Sequence, residues 1–195
     1  LGEHDIERLK ADMAAMHKRL QLLEDRAAIL DCLTRYTHAI DRHDWEALRE
    51  VYHPDGIANH GDFVGLVDDL RRFLEPRYEE TLSSHTHHVL NHICDVDGDV
   101  ANAVTGAIVV TTLKDGSGVI FLGARYVDRL ERRDGKWKIA LRRIVADWRC
   151  KAEPMPNYHN FPTGRWDRED LAYMRPLALT AELAAQLAAA AAKAG

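Results

Sequence analysis

Cysteine is scarce: Cys32, Cys94 and Cys150 are the only three, far apart and without a CxxC pair. That excludes a disulfide framework or a cysteine zinc site and leaves three reduced, buried thiols as the expectation. Long apolar runs are missing too, since no stretch reaches the roughly 18–20 residues that span a bilayer. The opening LGEHDIERLK is charged from its third residue and holds no apolar signal core. The expected setting is therefore cytoplasmic, with no membrane partner. Leu1 in place of Met suggests a trimmed or tagged chain. Basic charge is not in excess either: 26 Lys+Arg against 31 Asp+Glu give a net charge of −5 and no basic face for nucleic acid. There is no phosphate loop, dinucleotide fingerprint, GxSxG elbow, HExxH or internal repeat. The apolar fraction of 46% and charged fraction of 29% are those of a globular chain. Its 195 residues suit one domain with an appendage.

What is present begins with helix. Ile6, Leu9, Met13, Met16, Leu20, Leu23, Ala27 and Leu30 alternate in steps of three and four, a heptad seam of about three and a half repeats. The seam either lies on its own domain or joins subunits, and the expectation is a homo-oligomer, dimer or trimer. The same helix continues through Asp31–Ile40, and a turn at Asp41–Asp44 follows. Asp44 is a candidate N-cap for a helix over Trp45–Tyr52, which His53-Pro54-Asp55-Gly56 stops. Val67, Leu70, Phe73, Leu74 and Tyr78 mark an amphipathic segment over about 66–80, kinked or ended by Pro76.

From His87 the period changes to two. Strands are expected at about 87–96, 100–113, from Gly118 to about 132, and 136–149, joined at Asp97-Gly98, Asp115-Gly116-Ser117-Gly118 and Asp134-Gly135. Helices followed by an antiparallel meander give an α+β class. The expected architecture is a four-stranded curved antiparallel sheet with helices on its concave face, a cone enclosing a cavity. The tail from Lys151 reads as an irregular cover for the cavity mouth, then an Ala-rich helix.

Two arrangements could carry chemistry. Tyr36 and Asp41, five apart, diverge in a regular helix but can meet where it ends; the plain alternative is that Asp41 terminates the helix and Tyr36 is core. In Ser84–His92, alternation sends His87, Val89, Asn91 and Ile93 to one face and His88, Leu90 and His92 to the other. An imidazole beside a carboxylate would make a general base. Metal binding through His85, His87 and His60 is the competing chemistry, and ordinary surface histidines are the third reading.

The runs RYTHAIDRHDWEALREVYHPDG, THHVLNHICDVDGDVANAVT and ARYVDRLERRDGKWKIALRRIVADW resemble SnoaL-like proteins of the nuclear transport factor 2-like superfamily. They are most similar to the branch of scytalone dehydratase, bile-acid dehydratase and hexachlorocyclohexane dehydrochlorinase. The shared marks are the helix-ending Asp followed by x-x-D/E-W, the HP-D turn, the HxxxN strand and the ERRDGxW hairpin. The resemblance covers about 22–150, so three parts are expected: a heptad extension over 1–21, the cone domain over 22–150, and a covering tail with an Ala-rich helix over 151–195.

It also implies site residues. Asp41 falls where these relatives have the catalytic carboxylate, and His87, four before Asn91, where they have the paired imidazole. Tyr36 matches a site position, His60 a substrate-polarising tyrosine of the dehydratases, and Arg142 an active-site Arg of the dehydrochlorinase. Alternation would place Arg142, Ile144, Ala146 and Trp148 on one face, with Ala124, Tyr126 and Asp128 on the facing strand. Phe63, Val104, Ile108, Val110 and Trp148 would form an apolar wall, and Phe63, Asn91, Val110, Tyr126 and Trp148 would contact substrate. The chain departs from its relatives at Val110, where the dehydratases carry His or Asp, and at Ala146, where the bile-acid enzyme has Arg. The implied activity is cofactor-independent elimination of the dehydratase type on a small cyclic, aromatic or steroid-like molecule, without a metal. An isomerase, a cofactor-free carbon–carbon lyase or a non-catalytic binding protein would use the same cavity.

Overall fold

A computed structural model describes residues 2–155 and 161–194, the side chains of 193 and 194 excepted. The middle of the tail, 156–160, which the sequence reads as part of the cover, lies outside the described residues. Helix α1 (Glu3–Asp41) runs without a break. Its second half buries Ile29, Leu33, Tyr36 and Ile40, spaced four, three and four apart, so that one stripe faces the sheet. Asp25 pins α1 at the start of that stripe. Its Oδ1 accepts from Trp137 Nε1 at 2.9 Å and Arg132 Nη1 at 2.5 Å, which ties the helix to the far end of the sheet.

Helix α2 (Trp45–Val51) is capped by Asp44, whose carboxylate accepts from Ala47 N at 3.2 Å. The next segment corrects the sequence reading. His53-Pro54-Asp55-Gly56 is a stretch of strand β1 (Tyr52–Asn59), and the short β2 (Val64–Leu66) pairs with it. Tyr52 lies opposite Ile139 and Ile57 opposite Leu141, so residues 53–56 bulge out of the ladder. In a bulge Pro54 needs no donor to offer. A Cβ on Gly56 would stand 2.8 Å from the carbonyl oxygens of His53 and Ile139, so only glycine fits. Helix α3 (Val67–Thr81) continues past Pro76 rather than ending there.

Strands β3 (Leu82–Asp97), β4 (Val100–Leu113), β5 (Val119–Arg133) and β6 (Lys136–Ala152) form the meander. With β1 and β2 the sheet has six strands rather than four, in the order β2-β1-β6-β5-β4-β3. It is curved and unclosed. The β1–β6 pair is parallel and the others are antiparallel. Helix α4 (Ala181–Ala194) follows a single 3-10 turn at Leu171–Tyr173. Cys32 and Cys94 are buried and free, whereas Cys150 is exposed, contrary to the expectation of three buried thiols. No helix among the described residues is long and apolar enough to cross a membrane.

Candidate active site

Asp41 is the last residue of α1. The helix stops there because His43 adopts the left-handed region at φ 51°, and Asp44 N reaches back to Ala39 O at 2.9 Å. A carboxylate at the C-terminal, negative end of a helix is unfavourable unless donors meet it. Strand β3 supplies two. Asp41 Oδ2 accepts from the backbone N–H of His87 at 2.9 Å, and Oδ1 lies 2.5 Å from His87 Nδ1. The two side chains keep 13% and 8% of their surface exposed. With Nδ1 as donor to Asp41, His87 Nε2 carries the lone pair, which is the tautomer of a general base.

A second imidazole stands beside this pair. The His85 ring is 5.6 Å from that of His87, and its Nε2 is 3.2 Å from Nε2 of His43. Burial, with the neighbouring His87 adding to it, pushes the pKa of His85 down to about 3. Burial likewise lowers His43 to about 4. Both rings are therefore neutral at pH 7, one donating to the other. Trp166 of the tail stacks on His43 at 4.0 Å. The segment around it is held by Arg42 to Asp170 at 2.8 Å, and by Arg168 and Tyr173 to Asp44 at 3.0 and 2.9 Å.

Deeper in the cone, Tyr36 Oη lies 3.3 Å from His60 Nε2. Burial, reinforced by the positive charge of Arg142, pushes His60 down to about 3. Arg142 is fully buried and donates from Nε and Nη2 to both oxygens of Asp128, at 2.8 and 2.7 Å. Burial works against its charge, yet the Asp128 carboxylate holds the pKa well above the ordinary value. The guanidinium lies 3.9 Å from the Tyr36 ring and 4.2 Å from the Tyr126 ring. Arg142 Nη1, Tyr52 Oη and Tyr126 Oη are buried with no hydrogen-bond partner among the described residues.

The structure thus brings Asp41 to His87, and Tyr36, His60, Arg142 and Tyr126 to one another. Tyr36 and Asp41 share no hydrogen bond among those found. Phe63 packs on Phe73 at 5.2 Å, at the edge of the core. Two expected contact residues, Asn91 and Val110, lie elsewhere. A bulge in β3 between Val89 and His92 reverses the alternation. His85, His87 and Val89 point inward, but beyond the bulge His92 and Cys94 do so, and Asn91 is exposed. His92 Nδ1 then meets the buried Thr105 at 2.8 Å. Val110 lies opposite Thr86 and Phe121, on the outer face, so its lack of a polar group removes nothing from the dyad's side of the sheet. Val104, 40% exposed, is likewise outside. Trp148 pairs with Gly123 across a bulge that skips Asp147. Its indole lies within 2.1 Å of where a Gly123 Cβ would stand, on the face opposite Ala124 and Tyr126. The inward cross-strand neighbour of His87 is Val109. At Val109 begins a hollow of about 520 Å³ that also touches Thr111, Ile120, Leu122, Ala146, Asp147, Trp148 and Arg149.

The sequence profile of the SnoaL-like domain matches residues 21–143. The chain belongs to the SnoaL-like family. A gamma-hexachlorocyclohexane dehydrochlorinase of Sphingobium indicum is 26% identical over 151 residues, covering 74% of this chain and 93% of the relative. A type 3 hexachlorocyclohexane dehydrochlorinase of Novosphingobium barchaimii superposes with a TM-score of 0.63 at 22% identity, over 71% of this chain and 99% of the other. A scytalone dehydratase-like protein of Novosphingobium aromaticivorans gives 0.61 at 21%, over 73% and 99%. These two structural likenesses show the nuclear transport factor 2-like fold.

Among the described residues, the donors that come together for a metal are Asp41, His85 and His87, with ligand atoms within 4.8 Å of one another; His60 is not among them. The 2.5 Å between Asp41 Oδ1 and His87 Nδ1 is a hydrogen-bond distance. Two ligands on one tetrahedral zinc, with bonds near 2.0–2.1 Å, stand roughly 3.3 Å apart. As arranged, the pair shares a proton, and a metal would have to separate it. Sequence reasoning missed His43, Tyr52 and Trp166 around the site. His43 belongs to no periodic stripe, and Trp166 arrives from 123 positions along the chain, so neither leaves a local signal.

Proposed function

We propose that this SnoaL-like protein is a cofactor-independent lyase that performs a dehydratase-type elimination on a small cyclic, aromatic or steroid-like substrate. The observation that carries the reading is the commitment of both Asp41 oxygens to His87. His87 Nε2 takes a proton from a carbon next to an activating group. The C–H electron pair becomes the new double bond, and the leaving group departs with its own bonding pair. Asp41 fixes the tautomer and stabilises the imidazolium. Arg142, through Nη1, and Tyr36 with His60 stabilise negative charge developing on the substrate or leaving group. The hollow that starts at Val109 takes the apolar body of the substrate. The dehydrochlorinase relatives support this kind of reaction.

The test is turnover of halogenated cyclohexanes and cyclic β-hydroxy ketones, read as halide release or as absorbance of the new alkene. Asp41→Asn and His87→Gln should each lower kcat by about 10²–10⁴-fold, with circular dichroism unchanged and wild-type turnover unaffected by EDTA. Turnover retained in either variant would overturn the dyad.

A further inference from the structure

Helix α1 has two apolar stripes, and its own domain uses only one. Ile29, Leu33, Tyr36 and Ile40 are buried against the sheet, and no residue of α1 before Asp25 is buried. At 100° per residue, Leu20 stands about 180° around the axis from Ile29. The second stripe is the heptad seam, and it is open to solvent: Met13 is 69% exposed, Met16 67%, Leu20 53% and Leu23 65%. The 22 residues of α1 before Asp25, roughly 33 Å of helix, carry no buried side chain, and Gln21 and Leu22 flank a hollow shared with Val96, Gly98 and Arg132. A free helix with such a stripe has nothing to bury it.

We infer that residues 6–30 of α1 form a parallel coiled coil with a second copy of this chain. The alternating three–four spacing is that of coiled-coil core positions, Ile6, Met13, Leu20 and Ala27 at a and Leu9, Met16, Leu23 and Leu30 at d. The flanking charges choose the partner and its direction. The g positions are Asp5, Asp12, Arg19 and Arg26, and the e positions are Lys10, His17, Glu24 and Asp31. In a parallel pair each g residue meets the e residue of the partner's next heptad. Every such pairing joins unlike groups: Asp5 with Lys10, Asp12 with His17, Arg19 with Glu24, Arg26 with Asp31. An antiparallel pair with the same apolar layers aligned would also join Asp12 to Arg26 and Lys10 to Glu24, but it would set Arg19 against Arg19 and His17 against His17. Only the parallel direction sets no like charges together, which favours it for an interface between identical chains. The surface pairs Lys10–Glu7 and Asp31–Arg35 are exposed and weak enough to exchange.

The experiment is sedimentation equilibrium of the full chain at low salt, with circular dichroism on each variant. The wild type should weigh a multiple of the 22.1 kDa chain, and Leu20→Asp, at an exposed position, should weigh one chain. Arg19 and Glu24 have no charged residue three or four positions away on α1, so reversing them disturbs no pair within the helix. Arg19→Glu alone and Glu24→Lys alone should each weaken association about tenfold. The combined variant, or a mixture of the two single variants, should restore it. A wild type that stays monomeric at about 50 μM would overturn the inference. So would an unchanged mass for Leu20→Asp, or a combined variant no tighter than the single ones, which would mean an antiparallel pair.

Discussion

Replacing Asp128 by Asn removes one charge from a pair that has no water to fall back on. Both side chains are fully buried, and Arg142 gives two hydrogen bonds to Asp128, at 2.8 and 2.7 Å. In the variant the guanidinium keeps at most one acceptor, while Nη1 already lacks a partner among the described residues. Breaking a buried pair from one side costs about 3–5 kcal/mol. For a chain of this size that corresponds to a Tm lowered by roughly 6–20 °C. Urea unfolding followed by tryptophan fluorescence, with the m-value held constant, reads the loss directly. Replacing both partners, Asp128→Leu with Arg142→Met, should be less damaging than Asp128→Asn alone, because no buried charge is left behind. A loss below about 1 kcal/mol for Asp128→Asn would refute the reasoning. Arg142 would then not depend on this carboxylate, and its place over Tyr36 and Tyr126 would need another cause.

Three desolvated histidines give the fold an acid limit. His60 and His85 sit near 3 and His43 near 4, all below the unfolded value of about 6.5. Below that pH the unfolded chain gains protons that the folded one refuses, so the contribution is complete above pH 6.5 and is lost as pH falls. Between pH 7 and 5 His60 accounts for up to about 2 kcal/mol; His60→Gln should flatten the pH dependence of urea midpoints by that amount, and an unchanged slope would contradict the assignment. At the Gly123–Trp148 contact, Gly123→Ala forces the indole to move and should cost about 1–3 kcal/mol. In a Trp148→Ala background the same change should be nearly silent, and equal costs in both backgrounds would show that the ring is not what excludes the methyl.

The helical half and the four-strand meander could be read from the sequence because each rests on local signals: the stripe of Ile29, Leu33, Tyr36 and Ile40, the Asp44 cap, and three Asp-Gly turns. Strand β1 was hidden because its Pro54 and Gly56 carry the marks of a turn, and only pairing with β6, some 85 residues away, makes them a bulge. The positions of Asp41 and His87 came from family resemblance; spacing alone left Asp41 as readily a helix terminator. Asn91 and Trp148 were placed by counting in twos, and Val110 by family resemblance. That count fails wherever a strand inserts an extra residue, and both β3 and β6 do so between the dyad and the positions being counted.

The extra residue in β3 gives that strand something like a reading frame. Upstream of it His85 and His87 are in phase with the interior, and downstream His92 and Cys94 are. One strand thus serves polar chemistry at one end and core packing at the other. Deleting a single residue at 90–91 would remove the bulge and leave a regular ladder, Val89 opposite Ala107 and His92 opposite Thr105, with both halves still in phase with the interior. The bulge is therefore the point of β3 that can lose a residue without turning either set of side chains, a tolerance that hydrophobicity does not mark.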